Sequence, residues 1–167
     1  MAKNSRAVFQ RPNLVRQTID KELSMGRIAG PFINPPFPTF RVSLIGLVPK
    51  KDGNFRMIHN LPHPMHNSVN DFIDSEFCSV RYANIDDAVK LVKRIGRNGK
   101  LAKADVKSAF RLLRVSPGDF DQLGFCFENK YYFDKCLHLE LLSAALCLKC
   151  FPLLCTGVLK IAVETEI

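Results

Sequence analysis

Two stretches of this sequence bring together residue types that can do chemistry. In Ala104-Asp105-Val106-Lys107-Ser108-Ala109-Phe110, an aspartate closes an apolar run that reads as a strand, Lys100 to Val106, and a short helix is predicted from Lys107 to about Leu113. A carboxylate on such a rigid end suits Mg2+, because hard cations want oxygen ligands held in place. Asp105 alone also fits a plain helix cap. The second stretch is Pro49-Lys50-Lys51-Asp52-Gly53-Asn54-Phe55-Arg56, with cations on both arms of one hairpin. Lys50 or Lys51 can approach Arg56 across the turn and grip a triphosphate, the arginine as a fork of donors and the lysine as a point charge. The plain alternative is a solvated turn with ordinary surface charge.

The elements that must position these residues are legible in outline. Residues 1–12 are polar and basic and read as a loose arm. Leu14, Ile19 and Leu23 follow a helical period, with Asn13 as the expected N-cap and Gly26 as the stop. Residues 27–39, with Gly30 and four prolines, read as an extended loop. Arg41–Pro49 and Asn54–Asn60 read as a hairpin turning at Asp52-Gly53. Residues 61–83 are irregular, with a short Val69–Ile73 segment. Ile85, Ala88, Val89, Val92 and Ile95 predict a helix capped by Asn84 and ended by Gly96. Ser116-Pro117 is a helix start. Phe125–Phe127 and Tyr131–Phe133 flank Glu128-Asn129-Lys130 as a second hairpin. Helices mixed with antiparallel hairpins make the fold class α+β.

The whole chain narrows the function classes. It has 167 residues, 47% apolar and 24% charged, which is globular composition and argues against general disorder. Its 24 Lys and Arg against 16 Asp and Glu give a net charge of +8, which favours a polyanionic partner. Six irregularly spaced cysteines do not form a disulfide framework. Cys147 and Cys150 form a C-x-x-C, read here as buried thiols on an apolar helix. No secretory signal is visible, so an intracellular location, cytoplasmic or nuclear, is expected. Residues 139–163 are rich in Leu, Cys and Ala, but Lys149 and Pro152 interrupt them short of a membrane span. No membrane is expected as a partner; a poorly covered apolar helix that promotes self-association is.

Taken together, the runs resemble the reverse transcriptases of retroelements. The resemblance rests on Gly26-Arg27-Ile28-Ala29-Gly30-Pro31-Phe32, Phe40-Arg41-Val42-Ser43, Gly46-Leu47-Val48-Pro49-Lys50-Lys51, Phe55-Arg56-Met57-Ile58-His59 and Ser68-Val69-Asn70-Asp71. It continues through Tyr82-Ala83, Asp86-Asp87-Ala88-Val89, Leu101-Ala102-Lys103-Ala104-Asp105, Ser108-Ala109-Phe110-Arg111, Leu123-Gly124-Phe125 and Tyr132-Phe133-Asp134-Lys135-Cys136-Leu137. The sequence looks most like the polymerases of tyrosine-recombinase (DIRS-type) retrotransposons, over residues 20 to about 137.

The resemblance implies a partial right-hand polymerase, with residues 13–137 as fingers and the start of the palm. It implies in-line nucleotidyl transfer with two metal ions, Mg2+ as cofactor, and a primer–template and deoxynucleoside triphosphates as partners. Asp105 matches the first metal-binding aspartate, with the backbone carbonyl of Val106 beside it. Phe110 matches the aromatic gate beneath the incoming sugar, and Lys50 (or Lys51) with Arg56 matches the triphosphate grip. After Leu137 the likeness fails, and residues 138–167 read as a divergent apolar tail. Where the family has a Pro-x-Gly loop this sequence has His138-Leu139-Glu140, so Glu140 holds the glycine position. No paired aspartates follow, so the expectation is a chain without polymerase activity. The alternative is a non-catalytic nucleic-acid-binding remnant of a transposable element.

Overall fold

The structure, a computed structural model, describes residues 3–74, 76, 84–96, 108–138, 140 and 141. The predicted strand at Lys100–Val106, Asp105 and Val106 themselves, and the apolar tail beyond Leu141 lie outside the described residues.

Turn chemistry and period-2 patterning build the sheet. Strand β2 (Val42–Pro49) pairs antiparallel with β3 (Phe55–Asn60), from Leu44 opposite Asn60 to Pro49 opposite Phe55. Between them Asp52 accepts from the backbone N–H of Asn54, and Gly53 takes φ +80°. A second hairpin joins β4 (Gly124–Phe127) to β5 (Lys130–Asp134), with Glu128 and Asn129 both at positive φ, as a tight primed turn requires. Strand β1 (Ile28–Phe32) lies antiparallel to β5, and β2 runs parallel to β4. The resulting five-stranded sheet has the order β1-β5-β4-β2-β3.

Strand β1 corrects the extended loop expected over 27–39. Gly30 and Pro31 disguise it: it sits on the sheet edge, where a proline removes no needed donor, and its register slips between Ala29 and Phe32. Gly30 takes φ +132°, and a Cβ there would lie 2.9 Å from Tyr131 O, so glycine suits the position on both counts.

The amino-terminal residues are a further correction. Arg6–Gln10 forms α1, and Val8 is wholly buried. The Asn4 side chain donates to Cys126 O at 2.9 Å and accepts from Ile45 N at 3.0 Å, which ties this segment across two strands. Residues 3–10 therefore form a docked strap, driven by Val8, rather than a loose arm. Helix α2 (Pro12–Ser24) starts at Pro12 rather than after an Asn13 cap, because proline suits the first helical position. It buries Val15 and Ile19 against the sheet, where they join Ile28, Ile45, Leu47, Phe125, Phe127 and Tyr132. Gly26, at φ +66°, follows its end.

Helix α3 (Ile85–Ile95) has the expected limits. Asn84 and Asp87 form a reciprocal capping box, and Gly96 closes it at φ +82°. The segments Asn70–Phe72, Ala109–Leu112 and Pro117–Gln122 are short stretches of 3-10 helix. Ala109–Leu112 stands where a helix from Lys107 to about Leu113 was expected, and Pro117 starts a helical segment as Ser116-Pro117 indicated. Among the described residues, no helix is long and apolar enough to cross a membrane.

Candidate functional site

Alternation along β3 decides what faces inward. Met57 stands opposite Leu47, and His59 opposite Ile45, so His59 takes a core position and is 1% exposed. Asp134, the last residue of β5, is equally buried. The chain beyond β5 brings His138 and Glu140 to the same place, with Glu140 O accepting from Asn70 Nδ2 at 2.9 Å. Helix α2 contributes Thr18, Lys21 and Glu22, which the i, i+3, i+4 spacing puts on one face. The turn at Ala109–Leu112 adds Phe110 and Arg111.

These residues line a cavity of about 380 Å³, together with Lys50, Phe55, Arg56, Met57 and Ser108. Three of the sequence-predicted site residues, Lys50, Arg56 and Phe110, thus share one cavity. Lys51 is exposed in the turn and does not line it. Asp105 and Val106 lie outside the described residues. Glu140, the residue at the family's glycine position, lines the same cavity.

A charged network forms the floor. Arg111 donates to Glu22 Oε2 from Nε at 3.1 Å and from Nη2 at 2.9 Å, and its Nη2 also stands 2.5 Å from Asp134 Oδ1. Arg27 lies 3.7 Å from the other oxygen of Glu22. Burial opposes the Arg111 charge, but Asp134 and Glu22 outweigh it and hold the guanidinium above its usual pKa. Burial pushes the Asp134 carboxyl up, against the opposing pull of Arg111 and His138. Burial, then the charges of His138 and Arg111, drive His59 well below the ordinary histidine range. His59 is therefore a neutral imidazole, and its 3.2 Å approach to Asp134 Oδ2 is not an ion pair. Its ring stacks on His138, centroids 4.3 Å apart, and meets Phe125 edge-on.

His138 Nδ1 is in short contact with Glu140 Oε2. Burial raises the Glu140 pKa, but the His138 hydrogen bond and the charges of His138 and Arg56 prevail and lower it. Glu140 is thus an anion facing Arg56. Sequence reasoning assigned no role to Glu22, His59, Arg111, Asp134 or His138. A histidine at an inward position of an apolar strand was the available signal for His59, but its partners are 75 and more residues away, and only the fold joins them.

No family model and no curated protein matches the chain. Among solved structures it is similar to the prototype foamy virus protease–reverse transcriptase (CSH mutant), with TM-score 0.60 and 18% identity over 86% of this chain and 17% of that one. The foamy viral protease–reverse transcriptase dRH in complex with double-stranded DNA gives TM-score 0.62 and 19% identity, over 89% of this chain and 23% of that one. The same kind of protein in complex with an RNA/DNA hybrid gives 0.52 and 17%, over 91% and 19%. The α+β fold is thus similar to part of these reverse-transcriptase structures, and the chain spans about a fifth of the length of these solved chains.

Proposed function

We propose that this chain is the fingers and the beginning of the palm of a reverse transcriptase, of the DIRS-type retrotransposon kind, and that the cavity under the β2–β3 turn receives a deoxynucleoside triphosphate. One observation carries the reading: on a reverse-transcriptase-like fold, Lys50, Arg56 and Phe110 line a single cavity. Two cations suit phosphates, and an aromatic ring in the same cavity suits the packing of a sugar. On this reading Asp105, with the carbonyl of Val106, holds Mg2+, which supplies charge neutralisation at the reacting phosphate. Lys50 and Arg56 orient the phosphates, and Phe110 packs where a 2′-hydroxyl would project.

The test is discrimination between sugars. Titration of the chain with matched deoxy- and ribonucleoside triphosphates, beside a primer–template, should show preference for the deoxy form. In Phe110→Ala that preference should shrink about tenfold, the scale of a lost steric contact. Equal discrimination in both proteins would remove Phe110 from the site.

A second reading, a nucleic-acid-binding remnant without catalysis, is favoured by Glu140. Its carboxylate lines the cavity and faces Arg56, where it competes with a triphosphate. Glu140→Gly should then strengthen triphosphate binding. Unchanged or weaker binding in that variant would leave the remnant reading without its support.

A further inference from the structure

The turn that carries Phe110 is weakly anchored by packing. None of its four residues, Ala109–Leu112, is buried, and Leu112 is 50% exposed. Just beyond it, Leu113 O accepts from Leu137 N at 2.8 Å and Val115 N donates to Lys135 O at 3.0 Å, which ties down the chain after the turn. Within the turn, Arg111 is the one polar side chain. It reaches two elements at once. Glu22 Oε2 on α2 lies 3.1 Å from Nε and 2.9 Å from Nη2, and Asp134 Oδ1 at the end of β5 lies 2.5 Å from Nη2. The Arg111, Glu22 and Asp134 side chains are 15%, 16% and 1% exposed. A guanidinium presents its donors as a rigid planar fork, so two carboxylates gripping it with little water present hold it in one orientation.

We propose that Arg111, gripped by Glu22 and Asp134, is the positioning residue for the Phe110 ring and thereby for the choice of sugar. Neighbouring side chains of a 3-10 turn project about 120° apart, so fixing the direction of Arg111 fixes that of Phe110. Both side chains line the same cavity. Glu22 and Asp134 stand on elements far apart in sequence, so the assembled fold, and not the turn itself, aims the ring. The effect on sugar choice rests on the triphosphate reading; the positioning of the ring does not.

The chain has no tryptophan, so Phe110→Trp places a single fluorescent reporter at the ring. Time-resolved anisotropy of the full chain should show an indole that turns only with the whole molecule. Adding Arg111→Lys, which keeps the charge but loses the fork, should give the indole a fast motion of its own, and Glu22→Gln a smaller share of it. Circular dichroism checks that each variant is folded. With phenylalanine restored, Arg111→Lys should lose most of the about tenfold deoxy preference that Phe110→Ala loses. The double variant should lose no more than Phe110→Ala alone, because the two residues act through one another. Deoxynucleotide binding itself should be largely kept, since Lys50 and Arg56 are untouched. An indole already mobile beside Arg111, or still held in a folded Arg111→Lys, would overturn the proposal. A released indole with a sugar preference lost in Phe110→Ala but intact in Arg111→Lys would overturn the link from Arg111 to the sugar. A released indole with the preference unchanged in both variants would uphold the positioning and count against the triphosphate reading.

Discussion

At the scale of single residues, the buried histidine sets a pH dependence. His59 is neutral in the folded chain and takes up a proton near pH 6.5 once unfolded. Below that pH the unfolded state binds more protons than the folded one, so stability falls as pH falls. Asp134 acts the opposite way: its raised folded pKa favours the folded chain as pH drops through that value. The histidine contribution is isolated by comparing wild type with His59→Gln in urea unfolding at pH 7.5 and at about pH 5.5. The wild-type midpoint should drop between these conditions, and the drop should be smaller in the variant. Equal drops would mean that His59 is accessible to protons in the folded chain.

At the scale of elements, the close crossing of β4 by the Phe40–Arg41 segment is the most exacting feature. A Cβ on Gly124 would strike the Phe40 ring and lie 2.5 Å from Arg41 O, which is backbone and cannot swing aside. Gly124→Ala should therefore cost about 1–3 kcal/mol, measured as the loss of unfolding free energy in urea. Gly118, where an added Cβ meets nothing nearer than 3.7 Å, is the control and should change little.

What the sequence revealed at this scale follows from how local each signal is. The β2–β3 hairpin was legible because Asp52-Gly53 and its flanking alternation lie within twenty residues. Helix α3 was legible because its cap, period and stop are contiguous. Strand β1 was not, because its pairing with β5 is more than 90 residues distant and Gly30 and Pro31 mimic a loop. The strap at residues 3–10 was hidden for a similar reason: Asn4, the Ser5 backbone and Val8 tie it to distant strands, and none of these stands out in a polar run. Lys50, Arg56 and Phe110 could be read from the two motifs, but the floor beneath them could not.

At the scale of the whole molecule, a net charge of +8 favours a polyanionic partner, and the proposed reading makes that partner a primer–template. The cations Lys50, Lys51, Arg56, Lys90, Lys93 and Arg94 are exposed and dispersed. They suit backbone phosphates rather than base edges. Primer–template binding should be indifferent to sequence and should weaken about tenfold to a hundredfold between roughly 50 and 200 mM salt, as a few phosphate contacts require. Binding that ignores salt, or strongly prefers one sequence, would contradict this. If the proposed reading holds and Asp105 is the one metal carboxylate that these 167 residues supply, primer extension by this polypeptide with Mg2+ or Mn2+ is expected to be undetectable. Extension that disappears in Asp105→Ala would show the reverse.

If the cavity beside the β2–β3 turn receives a triphosphate, the two lysines of that turn separate this proposal from its alternatives. Lys50 and Arg56 line the cavity and Lys51 does not. A deoxynucleoside triphosphate titration, read by equilibrium binding in the presence of primer–template, should weaken about tenfold or more in Lys50→Ala and in Arg56→Ala, the scale of one lost charge-assisted contact. Lys51→Ala should stay within about twofold of wild type. Three equal effects would reduce the turn to a patch of surface charge, and a loss confined to Lys51→Ala would contradict the cavity itself.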